Sequence, residues 1–379
     1  MRGRVDRQQS MFVALDLEQF VPMDHPLRTV KRWADGVLSA MSRDFNAAYS
    51  DTGRPGVPPE QMLKALLLQA LYSIPSETKL VDAIQYNLLY RWFLDLPIEK
   101  DAWTQEAFSM NRDRFELHDL CRKFFDRVVA EGIERKLVSP DHFTIDGTLI
   151  RSLASQKSLE PVARDKRDGG DSDDGDVGVG GSRDALVNWR GERRSNKTHR
   201  SRTDPDARLA RKGPGKESHL SHTGHIIMEN RSGLCVAMAV DGFDGHAERR
   251  NAVRMLKHVE RRHGLTPRTV GMDAGYKAGE FLVQVEAYGS VPHVPLPAEP
   301  IRGDGPAASA RRRARRRMNS VGYQVSQRVR KRCEQIFGWG KTVAGLARTR
   351  FIGHVRIENS ALMVGAAYNL LRMTKLTPT

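Results

Sequence analysis

A chain of 379 residues is long enough for two or three domains, and its 39% apolar share is low for one compact core without polar inserts or tails. Lys and Arg outnumber Asp and Glu by 61 to 46, a net charge of +15 that favours a polyanionic partner, because each neutralised phosphate releases condensed counterions. Cys121, Cys235 and Cys333 form no CxxC pair, so neither a disulfide framework nor a zinc site is indicated, and the longest apolar run (65–74) is too short to span a membrane, so a reduced, cytoplasmic protein is expected.

Residues 1–135 are predicted to form an N-terminal all-α domain. Pro58 and Pro59 precede EQMLKALLLQALYSI, where proline suits a helix start and leucines recur on one face. A Ser76-x-x-Lys79 turn leads into KLVDAIQYNLLYRWFLDL, whose Tyr86, Tyr90, Trp92 and Phe93 read as core packing. TQEAFSMNRDRFELHDLCRKFFDRVVAEGI follows as a third element, with a Thr104 cap and Glu106 in its first turn. Short helices with scattered Arg and Lys suit a DNA-binding module, although no helix-turn-helix signature is explicit.

The pattern changes at Ser139-Pro140, and a second domain is expected over 141–375. DHFTIDGTLIRS (141–152) reads as a strand with a Gly147 break. The segment at about 155–217 contains DGGDSDDGDVGVGG and RRSNKTHRSR; poor in apolar residues and rich in charge, it is expected as a long, polar, flexible insert. HLSHTGHIIMEN and LCVAMAVDGF read as a hairpin, and AERRNAVRMLKHVERRHG (247–264) as an amphipathic helix closed by Gly264. PRTVGMDAGY is a buried strand entering a Gly turn, AGEFLVQVEAYG a helix, and SVPHVPLPA a short edge-like strand. From Arg302 to Arg332 there are eleven Arg or Lys against one Asp, densest in RRRARRR at 311–317, and this run is expected as a solvated, mobile arm that meets nucleic acid. Strand, hairpin, helix, strand, helix, strand, helix specifies a mixed α/β domain with helices available for both faces of its sheet.

Two aspartates stand out in this order. Asp146 interrupts the apolar strand TIDGTLI, where a carboxylate is costly unless ionised against a cation. Asp273 ends VGMDAGY, at a strand end where α/β sheets place ligands. Glu334 is the third acid. In VSQRVRKRCEQIFGWGK an ideal helix puts Gln327, Arg330, Glu334 and Lys341 within a stripe of about 60°. Oxygen donors with no His or Cys cluster favour Mg²⁺ or Mn²⁺ over Zn²⁺. Two such ions about 4 Å apart suit phosphodiester cleavage, with Arg330 and Lys341 gripping phosphates. His225 and His246, near strand ends, are read as structural or solvent-facing, and Trp339 beside Phe337 as a core anchor.

FTIDGTLIRS with the following ASQKS, TDPDARLARKG at 203–213, VGMDAGY and the Arg330-x3-Glu334-x6-Lys341 spacing resemble bacterial insertion-sequence transposases of the Asp-Asp-Glu type, in particular the insertion-sequence-five group. The likeness runs over nearly the whole chain. That group's signature is Y-x2-R-x3-E-x6-K, and here Gln327 stands at the Tyr position. The resemblance implies an RNase H-like catalytic core and two Mg²⁺ or Mn²⁺ ions, with Asp146 bridging them and Asp273 and Glu334 each completing one coordination shell. Arg330, Lys341 and Gln327 are its DNA-binding positions. It further implies cleavage of double-stranded DNA at terminal inverted repeats, transfer of the freed 3′-hydroxyl into target DNA, a homo-oligomer on DNA, no membrane association and a nucleoid-associated place in a bacterial cytoplasm. Two other readings of the same residues are a catalytically inactive DNA-binding derivative and an RNase H-like nuclease acting on RNA or hybrids.

Overall fold

The computed structural model describes residues 15–377 apart from 51, 54–55, 163–193, 214 and 245–246. The N-terminal third is helical: α1 (Leu17–Phe20), α2 (Pro26–Ser39), α3 (Ser42–Ala48), α4 (Pro59–Leu71), α5 (Glu77–Tyr86), α6 (Leu88–Phe93), α7 (Gln105–Leu117) and α8 (Leu120–Glu134). Helix starts follow local chemistry. Pro26 and Pro59 occupy first-turn positions, where a missing N–H costs nothing, and Ser76 Oγ accepts the Lys79 N–H at 3.1 Å. Two stretches expected as single elements are each split. Asn87 closes α5 and caps α6 through the Tyr90 N–H, and Asp119 takes a left-handed φ of 53° between α7 and α8. Tyr90, Trp92 and Phe93 are core residues as expected, but Tyr86 is 83% exposed because it ends α5 just before that break.

The second half is built on strands β1 (His142–Arg151), β2 (Leu159–Pro161), β3 (His199–Ser201), β4 (Arg208–Ala210), β5 (His219–Glu229) and β6 (Cys235–Gly242). Then come α9 (Ala247–His263), β7 (Thr269–Gly271), α10 (Gly279–Ala287), β8 (Val291–His293), α11 (Pro306–Arg317), α12 (Val321–Val329), α13 (Cys333–Thr342) and α14 (His354–Leu376). β5 pairs antiparallel with β1, β6 and β4, while β1–β7 and β7–β8 are parallel. β1 lines one side of β5 along its length, so β4 and β6 share the other. The result is a mixed sheet running β6–β5–β1–β7–β8, with β1 at the change from antiparallel to parallel pairing. It is the RNase H-like arrangement expected, preceded by the helical region. The β5–β6 hairpin and the α9 helix fall where the residues predict, with Gly264 closing α9 at φ +62°.

Two expectations are corrected. The basic run is not a mobile arm but the ordered helix α11, packed on α10. Arg313 and Arg317 bond Glu286 at 2.5 and 2.9 Å, and Arg315 donates to the carbonyls of Pro297 and Glu299 at 2.5 and 2.6 Å. Charge counting along the chain could not foresee a carboxylate from α10 beneath the helix. The segment 155–217 is also only partly as expected: residues 163–193 lie outside the described residues, but its two ends are folded. β2 pairs with β3 and β4 with β5. Asp204 is fully buried, accepting from Ser152 Oγ at 2.6 Å and pairing with His222 Nε2 at 2.8 Å. Asp204 is a polar residue that contributes to the fold, which an average over the segment hides.

One hydrophobic cluster runs from Val21 to Met373. Its centre is α14, which lies against β6 and also against α8, α4 and α2. Gly365 permits that approach, since a Cβ there would lie 2.9 Å from Phe125 Cε2. A second tie joins α8 to α9: His258 Nε2 lies 2.9 Å from Asp126 Oδ1 and Arg262 Nε 3.6 Å from Oδ2. Burial raises the Asp126 carboxyl, but its hydrogen bond with His258 and the nearby His263, 3.7 Å away, outweigh that and hold it at about 2. A depressed folded-state value stabilises the protein above the unfolded carboxylate range, and that stability is lost as pH falls from about 4 towards 2. Urea titrations across this window are therefore expected to show Asp126→Asn with a flatter acid limb than the parent; equal slopes would contradict the coupling. Among the described residues, no helix is long and apolar enough to cross a membrane.

Candidate active site

The parallel pairing of β1 with β7 aligns His142 with Thr269, Phe143 with Val270 and Thr144 with Gly271. Carried two residues further, the same register sets Asp146 opposite Asp273, on the same face by the two-residue alternation of strands. β7 ends at Gly271, so Asp273 lies just beyond the strand and caps a 3₁₀ turn over Ala274–Tyr276, its Oδ1 accepting the Gly275 N–H at 2.8 Å. Gly271 lets α12 lie close to β7, since a Cβ would come within 2.7 Å of the buried Ser326 Oγ and that hydroxyl would have to turn away. Asp146, its side chain 19% exposed, accepts its neighbour Gly147's N–H at 2.9 Å and pairs with Arg330 at 3.3 Å. Burial pushes the Asp146 carboxyl above its usual range. The Gly147 N–H and Arg330 oppose that, and the negative charges of Asp273 and Glu334 add to it. The two aspartates and Glu334 thus share one electrostatic neighbourhood.

Glu334 reaches it from a helix that is not continuous. Between α12 and α13 the chain makes a 3₁₀ turn over Arg330–Arg332, so the ideal stripe is interrupted between Gln327 and Glu334. Arg330 still pairs with Asp146, and Glu334 remains near enough for its charge to act on that carboxylate. Gln327 turns inward, its Nε2 donating to the carbonyls of His293 at 2.9 Å and Met272 at 3.3 Å, which fastens α12 to the ends of β7 and β8. Lys341 keeps its place: α13 continues through Gly338 and Gly340, and Lys341 Nζ donates to Thr148 Oγ1 on β1 at 2.5 Å. Burial, and secondarily Lys212, push the Lys341 ammonium below its usual value. Gly340 serves packing, because a Cβ there would lie 3.0 Å from Leu346 Cδ1. Trp339 stands 5.9 Å from the Tyr368 ring against the core, as its sequence context suggests.

One residue at this site escaped the sequence reading. Glu248, in the first turn of α9, is half-buried beside both aspartates. Burial, then the charges of Asp273 and Asp146, push its carboxyl up. An acid in a first helical turn ordinarily complements the helix dipole, and nothing in AERRNAV marks it otherwise. His225, paired with Gly147 across β1 and β5, is buried with neither ring nitrogen hydrogen-bonded among the described residues, and burial pushes it down to about 4. It is neutral and structural, in line with its sequence reading; His246 lies outside the described residues.

Asp146, Asp273, Glu334 and Glu248 offer only hard oxygen donors, and Arg330 is the one cation bonded to any of them among the described residues. That excess of negative charge and that donor set fit a hard divalent cation. They are grouped loosely: among the described residues, the one set of three whose ligand atoms come within 4.8 Å of one another is Asp126, His258 and His263, away from this site.

Two family models match the chain. A transposase domain (DUF772) covers residues 15–114, and a transposase DDE domain covers residues 190–370. The second match includes Asp273 and Glu334 but begins after β1, so Asp146 lies before it. No curated protein and no solved structure matches the chain.

Proposed function

The chain belongs to the DDE transposases of insertion sequences, DNA-cleaving and strand-transferring enzymes that use divalent metal, and from that premise we propose how its residues divide the work. Asp146, Asp273 and Glu334 are the metal-binding catalytic carboxylates, with Asp146 central between the other two. The observation that carries this reading is the β1–β7 register, which carried just past the end of β7 sets the two aspartates side by side, where Arg330 also pairs with Asp146. Two Mg²⁺ (or Mn²⁺) ions, when bound, supply Lewis-acid stabilisation to the attacking and leaving oxygens of an in-line displacement.

This chain's groups hold and orient the DNA. Arg330 has a planar guanidinium suited to two phosphate oxygens, and it would be free to meet a phosphate if Asp146, its partner at 3.3 Å, held a divalent ion instead. Lys341, poised over β1 by Thr148, meets the next phosphate. Gln327 supports DNA binding by fixing α12, since its amide is spent on backbone carbonyls. Hydrolysis adds water across the phosphodiester at the element's end and breaks the P–O3′ bond, leaving a 3′-hydroxyl. That hydroxyl then attacks a target phosphodiester, forming one P–O bond as another breaks, with no covalent protein–DNA link.

The helical region, 1–135, is the DNA-recognition part, and 141–375 the catalytic part. Specific substrates are the terminal inverted repeats, paired by a homo-oligomer in the cytoplasm at the nucleoid, and the Arg330-Glu334-Lys341 spacing supports membership of the insertion-sequence-five group. The test is strand transfer by purified protein on duplexes carrying the inverted repeats that flank its gene, with a target plasmid and Mg²⁺. Metal-dependent joint products are expected. Tight, salt-sensitive binding without nicking, or a preference for RNA–DNA hybrids, would overturn the reading.

A further inference from the structure

Glu248 is not one of the three carboxylates of the signature, yet its position is built around them. It enters from α9, the helix that follows β6 and packs on β5, β6 and β1. The residues that face it are both glycines beside the aspartates. A Cβ on Gly147, next to Asp146, would lie 3.6 Å from Glu248 Oε1. A Cβ on Gly275, two residues after Asp273, would lie 3.1 Å from Glu248 Oε2 and 3.0 Å from Asp273 Oδ1. One point beside Gly275 is therefore within about 3 Å of oxygens from both carboxylates. Any larger residue at 275 would fill the space between them.

Among the described residues its neighbour Arg249 is the one cation acting on its charge, and burial, Asp273 and Asp146 outweigh it. Among the described residues, Glu248 accepts no hydrogen bond and forms no ion pair, while Arg330 is already taken by Asp146. Nearby surface acids show the contrast: Asp241 and Asp244 are both bonded to Arg250 at 2.6 Å. A half-buried carboxylate turned towards two others is costly as a purely structural device. The cost is offset if the same divalent cation answers all three charges.

We propose that Glu248 is a fourth acidic ligand of the divalent-metal centre, sharing with Asp146 and Asp273 the ion at the β1–β7 end of the site. The glycines at 147 and 275 keep open the space that this ligand and the ion occupy. The proposal rests on the assignment of Asp146 and Asp273 to the metal centre, and its test separates the two.

The experiment is a titration of the purified full-length protein with Mn²⁺ alone, following the free-ion signal by electron paramagnetic resonance, for the parent, Glu248→Gln, Glu248→Asp and Asp146→Asn. Glu248→Gln is expected to weaken Mn²⁺ binding by roughly tenfold or more, and Glu248→Asp, which keeps the charge, to bind more tightly than the amide. If Asp146→Asn loses Mn²⁺ while Glu248→Gln binds like the parent, the fourth-ligand proposal is wrong and the three-carboxylate site stands. If Asp146→Asn also binds like the parent, both fall. Melting curves without metal guard against a folding defect: equal loss of Mn²⁺ in both Glu248 variants, with equally lowered melting, would assign the residue a packing role and overturn the proposal.

Discussion

Replacing Asp146, Asp273 or Glu334 by its amide is expected to lower DNA nicking by about a thousandfold or more, equivalent to ~4 kcal/mol of barrier. Each substitution keeps shape and removes one negative charge. The folded chain should tolerate it, because none of these carboxylates is buried in the core: Asp146 and Asp273 are half-buried and Glu334 is exposed. Asp146→Asn is informative in a second way. It releases Arg330 from its ion pair, so DNA affinity should be retained or raised while nicking disappears. Electrophoretic mobility shifts and nicking of a labelled duplex, run on the same preparations, separate the two effects. Full nicking by any one of the three amides would remove that residue from the catalytic assignment.

The second large effect concerns stability. Phe125 on α8 is fully buried, and its ring rests against the position of Gly365 on α14. Phe125→Ala removes a ring from the place where the helical region, α14 and the sheet meet, and is expected to cost about 3–5 kcal/mol. Because one hydrophobic cluster runs through both parts of the chain, far-UV circular dichroism and tryptophan fluorescence should report one shifted urea transition. A loss below about 1 kcal/mol would show that the site collapses around the gap. Two separated transitions would show that α14 does not couple the regions as its packing implies.

Much of this arrangement was legible in the residues, for identifiable reasons. TIDGTLI is an apolar strand pattern interrupted by an acid, and TVGMDAGY one that stops at an acid and a glycine, so Asp146 could be placed within a strand and Asp273 at a strand end before any coordinates. Their pairing could not, because it depends on a parallel register between segments more than a hundred residues apart. Arg330, Glu334 and Lys341 were legible by spacing, although the 3₁₀ turn at Arg330–Arg332 shows that an ideal helix was the wrong ruler for Gln327. Glu248 was invisible, because a first-turn glutamate has an ordinary explanation and only the fold brings it to Asp146 and Asp273. The same limit explains α11 and Asp204. A charged segment looks solvated until its partners, Glu286 for α11 and His222 for Asp204, arrive from elsewhere in the chain.

The most direct test of the account is a metal switch at one proposed ligand. Glu334→Cys places a soft thiolate where a hard carboxylate stood, which disfavours Mg²⁺ far more than Mn²⁺. This variant is expected to nick element-end DNA poorly in Mg²⁺ and to regain activity in Mn²⁺, while the parent works in both. Equal activity of the variant in the two metals, whether high or absent, would contradict direct metal ligation by Glu334.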